Sequence, residues 1–413
     1  MIKIVDQRIT VFEHEKLYFD LKIGIEKQLH DALEVYHGNG TPFFKLLRNG
    51  VQFTEHVGVL QIGKTTIEVL PKADKQGETK WRGILIDMIR TVWGFDVKST
   101  GSSSLNLKSN SILDLYFELF VSEVEYLLHR GLIKKYRRKE GNQTALKGSL
   151  QFAKHISQNL VHKERFYVKY TEYSNEHVLH EILFKTLKLI SQLNTNIALK
   201  GRIGNLLLSF PEMKDLRVTE ATFSKIIIDR KNKHYHTALE ISKLILLNYH
   251  PDLSKGRNNV LALMFDMNNL WEQFILVTLR RHLKSHQVLS QISKHFWKPE
   301  SGYSSKMRPD IILKCKGSAK SYVLDTKWKN LNGYNPSPED LRQMYVYHKF
   351  CQAEKVALVY PSDIHFVKRG KYYSSQIRSE MSEKECSIIQ IKTNDNVRIW
   401  QQDICNHITD FVV

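Results

Sequence analysis

The sequence predicts a mixed protein, α+β or α/β. It reads as a β-rich N-terminal domain, a helical middle region and a C-terminal run of helix, strand, strand, strand, helix, strand. Three observations carry this. Short apolar, β-branched runs alternate with turn residues up to about residue 75. From residue 81 apolar side chains recur at helical spacing. Beyond residue 258 helical and strand-like segments interleave. At 413 residues the chain has room for two or three domains with their own cores. The expected boundaries are 1–100, 101–255 and 256–413.

In the first region Ile2-Lys3-Ile4-Val5, Ile9-Thr10-Val11-Phe12, Val57–Ile62 and Thr65–Leu70 read as strands, with a helix over 23–36. Gly58-Val59-Leu60-Gln61-Ile62-Gly63-Lys64-Thr65 satisfies the phosphate-loop pattern G-x-x-x-x-G-K-[ST]. That motif works only as a loop leading into a helix N-terminus. Here the intervening residues are apolar and an alternating strand follows. Gly63-Lys64 is therefore expected to be a hairpin turn that binds no nucleotide.

Helices are expected over 81–93 and 111–128, the latter capped by Gly131, with Thr100–Ser104 as a flexible link. The net charge of +18 favours a polyanionic partner, nucleic acid before membrane. Between Arg130 and Lys169 eleven basic residues face two acidic ones, with Tyr136, Phe152, Phe166 and Tyr167 interleaved. Such a stretch grips a phosphate backbone, with Lys134, Lys135, Arg137 and Arg138 as its densest part; a solvated basic face over a core reads the same way. His177 and His180 have metal-compatible spacing without a third ligand, so a structural role is expected. Further helix continues to Tyr249 and ends at Pro251. The four cysteines are scattered, which fits a reducing cytoplasm. Neither a signal peptide nor a membrane span is expected.

In the last region Asn258–His282 reads as a helix and Val288–Trp297 as a strand. Met307–Lys314 and Tyr322–Lys329 read as a hairpin broken at Lys316–Ala319. Ser337 caps a helix with Pro338 in its first turn, running to about Phe350. Lys355–Tyr360 is a buried strand stopped by Pro361, and a short helix closes the chain near 398–411. In the hairpin, residues whose numbers sum to about 636 face each other. Asp310 or Ile311 then lies opposite Asp325, with Lys327 on the same face. Two carboxylates and an ammonium suit metal-assisted phosphodiester hydrolysis: Mg²⁺ takes hard oxygen ligands, and Lys327 stabilises developing charge. An isolated Asp-x-Lys on a strand also occurs as a surface ladder.

These residues resemble the PD-(D/E)xK nuclease superfamily and, more narrowly, the McrC nuclease subunits of McrBC methylcytosine-dependent restriction systems. The resemblance rests on Phe265–Glu272, Arg308-Pro309-Asp310, Leu324–Lys329 and Leu341–Tyr345. Ile67–Lys72 and Leu146–Leu150 extend it upstream. It implies a restriction-endonuclease-like αβββαβ domain using Mg²⁺ or Mn²⁺, with Asp310 and Asp325 as metal ligands and Lys327 as the catalytic lysine. Glu272 is the additional acidic residue and Gln343 the helix residue near the site. The implied partners are double-stranded, methylated DNA and a McrB-like AAA+ GTPase hexamer, onto which residues 1–100 dock. Two other readings stay open: a nuclease of the same superfamily acting alone in repair or mobile-element processing, and a non-catalytic DNA-binding adaptor.

Overall fold

The computed structural model describes residues 8–38, 40–71, 77–92, 111–250, 259–331, 333, 335–374 and 380–412. The expected strand at 2–5, the link Thr100–Ser104, the limits placed on Trp93, Pro251 and Asn258, and Lys72 at the end of an upstream segment of the resemblance lie outside them. The architecture is mixed α/β with several discrete sheets. Two compact units form, one from Met1–Ile112 with Ser254–Val413 and the other from Leu113–Leu253.

The first unit opens with Arg8–Phe12 parallel to Thr65–Leu70, which pairs antiparallel with His56–Ile62. Leu33, Phe44, Val51, Phe53, Ile67 and Val69 are buried in one core with helix Gly24–His37. Three strands were not legible in the sequence: Lys16–Tyr18, Phe44–Leu47 and Gly50–Phe53. They are too short for alternation to register. Gly63 and Lys64 form the expected two-residue turn between Ile62 and Thr65, with Gly63 at φ 56°. Gly58, the other glycine of the phosphate-loop pattern, has a packing reason. Its φ is +137°, and a Cβ there would sit 2.1 Å from the Leu263 carbonyl oxygen of a neighbouring strand.

That neighbour corrects the helix expected from Asn258 onward. Val260–Asp266 is a strand, antiparallel to His56–Ile62, and only Met267–His282 is helical. A continuous apolar run has no period, so buried strand and buried helix read alike. Asp266 marks the switch: its side chain accepts hydrogen bonds from Asn268 N and Asn269 N and caps the helix.

The second sheet has six strands in the order His286–Ser290, Ile311–Cys315, Ser321–Thr326, Lys355–Ser362, Met381–Lys392, Phe366–Tyr373. The pairing changes from antiparallel to parallel at Ser321–Thr326 and back at the last pair. Three expectations shift here. Val288–Trp297 is two strands, separated where Gln291 takes φ 51°, and Lys294–Trp297 pairs instead with Ser305–Met307. Met307 therefore leaves the expected hairpin, because Pro309 offers no N–H to continue the ladder. Lys355–Ser362 runs through Pro361, which lies beyond the last residue paired with Ser321–Thr326, where the strand has one neighbour fewer. Helix Pro338–Phe350 is capped by Ser337 as expected, and Val397–Val412 closes the chain. Trp271 stacks on Trp400 and meets Trp328 edge-on, and Trp328 also meets Trp81. These four buried rings form one aromatic cluster that includes Trp328, next in the chain to Lys327.

The second unit is not purely helical, which corrects the helical middle region. Helices Ile112–Arg130, Val178–Leu193, Ile197–Ser209 and His236–Leu247 accompany a three-stranded sheet. Lys135–Gln143 pairs antiparallel with Phe166–Ser174, which also pairs with Ser149–Leu150. Charges dominate Lys135–Gln143, and Phe166–Ser174 mixes aromatic and polar residues without strict alternation, so no apolar stripe announced them. Gly131 follows the first helix with φ 89°, the expected cap.

His180 is buried, with Nδ1 at 2.6 Å from the Asn175 carbonyl oxygen and Nε2 at 2.9 Å from the Tyr235 hydroxyl. His177 caps the same helix. Both are structural, as expected. Burial lowers the His180 pKa from 6.5 to about 4. Below pH 6.5 the unfolded chain then takes up a proton that the folded chain refuses. Stability is present above that pH and is lost as pH falls toward 4, by at most about 3 kcal/mol. His180→Gln is predicted to be less stable at pH 7 and to lose less between pH 7 and pH 4.5. Equal Tm losses in the two proteins over that range would contradict the assignment.

Candidate active site

The register of the hairpin decides the site. Ile311 pairs with Leu324 and Ile312 with Val323. Continuing that ladder sets Asp310 across from Asp325, one step from the sum of 636. The residues gather at the end of interior strands, not on an edge strand. Thr326, unremarked in the sequence, fixes Asp310: its N–H and hydroxyl donate to Asp310 Oδ2 at 2.8 and 3.0 Å. Lys327 N donates to the Val359 carbonyl at 3.0 Å, extending the parallel ladder past Thr326.

Lys327 Nζ lies 2.8 Å from Asp325 Oδ2 and 3.5 Å from Gln343 Oε1. Gln343 is held in turn by Tyr347, one helical turn on, whose hydroxyl accepts from Gln343 Nε2 at 2.8 Å and donates to the Arg308 carbonyl. The i, i+4 spacing of Gln343 and Tyr347 was the signal for that brace. Glu272, on helix Met267–His282, accepts from Gln291 Nε2 at 2.9 Å. The five residues expected at the site, Asp310, Asp325, Lys327, Glu272 and Gln343, thus share one network of contacts and charges.

The electrostatics agree with a site built for a cation. Asp325 is 1% exposed. Its burial first, and the Asp310 charge second, push its pKa up to about 6. Burial and Asp310 likewise raise Glu272. Burial pulls the Lys327 ammonium down, but Asp325, Asp310 and Asp340 outweigh it and the net shift is upward. Asp325 Oδ2 is buried, and its close cationic partner among the described residues is the Lys327 ammonium at 2.8 Å. Three carboxylates, Asp310, Asp325 and Glu272, whose charges oppose one another fit a hard divalent ion with oxygen ligands.

A second group of donors was not foreseen. His30, Asp31 and Glu34 on helix Gly24–His37 bring ligand atoms within 4.8 Å of one another and can coordinate a divalent ion. Their i, i+1, i+4 spacing is legible in retrospect, but it is common on solvated helices. The basic stretch is partly neutralised by its own sheet. Arg137 pairs with Glu176 at 3.2 Å, and Lys139 with Glu172 at 2.6 Å. Lys134 lies over the Tyr173 ring, and Lys135 and Arg138 are exposed. Among the described residues no helix is long and apolar enough to cross a membrane.

A mixed α/β fold with a carboxylate–lysine cluster at the end of its central strands defines the class. The chain belongs to the McrBC 5-methylcytosine restriction system component family, whose profile matches residues 51–361. It is 22% identical over 256 residues to the type IV methyl-directed restriction enzyme EcoKMcrBC of Escherichia coli K12, covering 58% of this chain and 71% of that protein. In fold it is similar to a chain in a tetradecameric assembly of Thermococcus gammatolerans McrB AAA+ hexamers with bound McrC. The TM-score is 0.74 at 18% identity, over 98% of this chain and all of the other. A chain of the T. gammatolerans McrBC complex matches with TM-score 0.51 at 18% identity, over 68% of this chain and 89% of that one.

Proposed function

We propose that this chain is the McrC-type nuclease subunit of its restriction system, a metal-dependent DNA endonuclease of the PD-(D/E)xK kind that acts when an AAA+ GTPase recruits it. The observation that carries the reading is the convergence of Asp310, Asp325, Lys327, Glu272 and Gln343 at one end of the six-stranded sheet. Asp310 and Asp325 would hold Mg²⁺ or Mn²⁺, with Glu272 beside them. A bound divalent ion supplies Lewis-acid polarisation of the phosphate and lowers the pKa of water. The chain's own contribution is positional. Thr326 locks Asp310, and Gln343 and Tyr347 steady the Lys327 ammonium. Lys327 faces the charge that develops on the phosphate in the transition state, where a preorganised cation is most effective.

Residues 256–413 are the nuclease domain in this reading and residues 1–100 dock onto the motor. The fold likeness to a chain from an assembly of McrB AAA+ hexamers with bound McrC supports that partnership. Exposed Tyr18, Leu21, Ile23 and Ile25, close together in the chain, support the docking region. The test is cleavage of methylated duplex DNA by the chain with its GTPase, GTP and Mg²⁺. Product that requires all three is expected; a GTPase-independent nicking activity of the same rate would favour a nuclease that acts alone.

Residues 101–255 contribute DNA-backbone contacts through Lys134, Lys135, Arg137 and Arg138. Each phosphate contact adds a slope of roughly −0.9 to log affinity against log salt. Replacing the four by Gln is predicted to flatten that slope by roughly two to three, fewer than four because Glu176 already engages Arg137. An unchanged slope would place the DNA path elsewhere.

A further inference from the structure

Between the strand His286–Ser290 and Asp310 the chain leaves the main sheet and makes a separate two-stranded hairpin, Lys294–Trp297 with Ser305–Met307. Both ends of this excursion are tied to the candidate active site. At its start, Gln291 donates to Glu272. At its end, the Arg308 carbonyl accepts from Tyr347, the residue that holds Gln343. Asp310 follows two residues later.

The base of the hairpin is anchored. Phe296 meets Phe350 edge-on at 5.3 Å, and Lys294 Nζ donates to the Phe350 carbonyl at 3.2 Å. His295 lies 2.6 Å from Ser304 Oγ, across the two strands. The outer part is not anchored. Trp297 is 59% exposed and Tyr303 is 100% exposed, although both rings are large enough to be core residues. Neither ring contacts another ring or makes a side-chain hydrogen bond among the described residues. Lys298 and Lys306 are exposed and unpaired in the same sense, and Glu300 is the only acidic residue from 291 to 308.

Exposed aromatic rings among unpaired lysines match one chemistry well: nucleobases stacked on the rings, with the flanking phosphates neutralised by the lysines. An acidic protein surface could pair with the lysines but supplies no row of flat rings for Trp297 and Tyr303 to stack on. A purely phosphate-binding patch would need no Trp297 or Tyr303. We infer that the hairpin 294–307 grips DNA beside the cleaved phosphate by stacking unpaired or unstacked bases on Trp297 and Tyr303. This rests on the nuclease reading for what the grip serves, but the contact with DNA is tested without cleavage.

The test is equilibrium binding by fluorescence anisotropy, with no divalent metal present, of a duplex, the same duplex with a short single-stranded gap, and a single strand. The full chain is compared with Trp297→Ala/Tyr303→Ala and with Trp297→Phe/Tyr303→Phe. Loss of base stacking commonly weakens binding roughly five-fold or more per base, so the alanine pair is expected to lose at least about 10-fold on gapped and single-stranded DNA. Loss on intact duplex is expected to be smaller, and the phenylalanine pair retains most of the affinity. Equal affinity of wild type and the alanine pair for all three DNAs overturns the inference. So does an alanine pair that binds DNA normally but no longer co-elutes with the GTPase, which would make the hairpin a protein-docking element. Binding is read apart from cleavage, so the expected stacking result here together with no cleavage in the separate assay with GTPase, GTP and Mg²⁺ would sink the nuclease reading and leave the hairpin standing.

Discussion

Asp325→Ala is expected to abolish DNA cleavage by the assembled complex while the protein stays folded. The loss should be at least about 10²–10³ in rate, the usual effect of removing one preorganised electrostatic group. Retention of the fold follows from the same geometry. Asp325 is 1% exposed, and burial and Asp310 both oppose its charge. Its removal relieves a buried repulsion but takes the 2.8 Å ion partner from Lys327, which keeps Gln343 at 3.5 Å, so a lower Tm without loss of the fold is expected. Asp310→Ala and Lys327→Ala should be comparably inactive. For Asp310→Ala some loss of stability is also expected, because Thr326 N–H and Oγ1 lose their acceptor. Circular dichroism and melting curves separate inactivity from unfolding. Full activity in a folded Asp325→Ala protein would remove the site assignment.

The second large effect is expected at the N-terminal surface. Ile23 and Ile25 are 47% and 60% exposed where the chain enters helix Gly24–His37, with Tyr18 and Leu21 just before them. If this surface meets the motor, Ile23→Asp/Ile25→Asp places two charges in a contact that excludes water. Such a change costs several kcal/mol in an interface core, so co-elution with the GTPase and stimulation of GTP hydrolysis should both be lost. Substitution is preferred to truncation because the first unit is built from both ends of the chain. Val260–Asp266 pairs with His56–Ile62, and Trp328 Nε1 donates to Glu13. Removing residues 1–100 would therefore expose the core under the candidate site. A double variant that still binds and stimulates the GTPase would move the docking surface elsewhere.

The placement of the charged side chains was more legible than the architecture. Asp310, Asp325 and Lys327 could be aligned from the strand period alone, since a two-residue alternation and a short turn leave little choice of register. Ser337-Pro338 and Gly63-Lys64 were equally clear, because capping and turn chemistry are local. The sequence was silent where an answer depended on partners distant along the chain. Val260–Phe265 is apolar throughout and becomes a strand only because His56–Ile62 offers it an edge. The charged strand Lys135–Gln143 pairs with the aromatic-rich Phe166–Ser174 through backbone and cross-strand ions, which leave no apolar alternation. Thr326 and Gln291 support Asp310 and Glu272 through hydrogen bonds that no spacing rule announces.

Where the metal binds is the most direct question for this account. Mn²⁺ titration followed by electron paramagnetic resonance can answer it on the full chain, with Asp310→Ala/Asp325→Ala and His30→Ala/Glu34→Ala as comparisons. The site geometry predicts that the tight Mn²⁺ signal of the wild type disappears in the Asp310/Asp325 pair and persists in the His30/Glu34 pair. The reverse pattern, with tight binding kept without Asp310 and Asp325 and lost without His30 and Glu34, would contradict it.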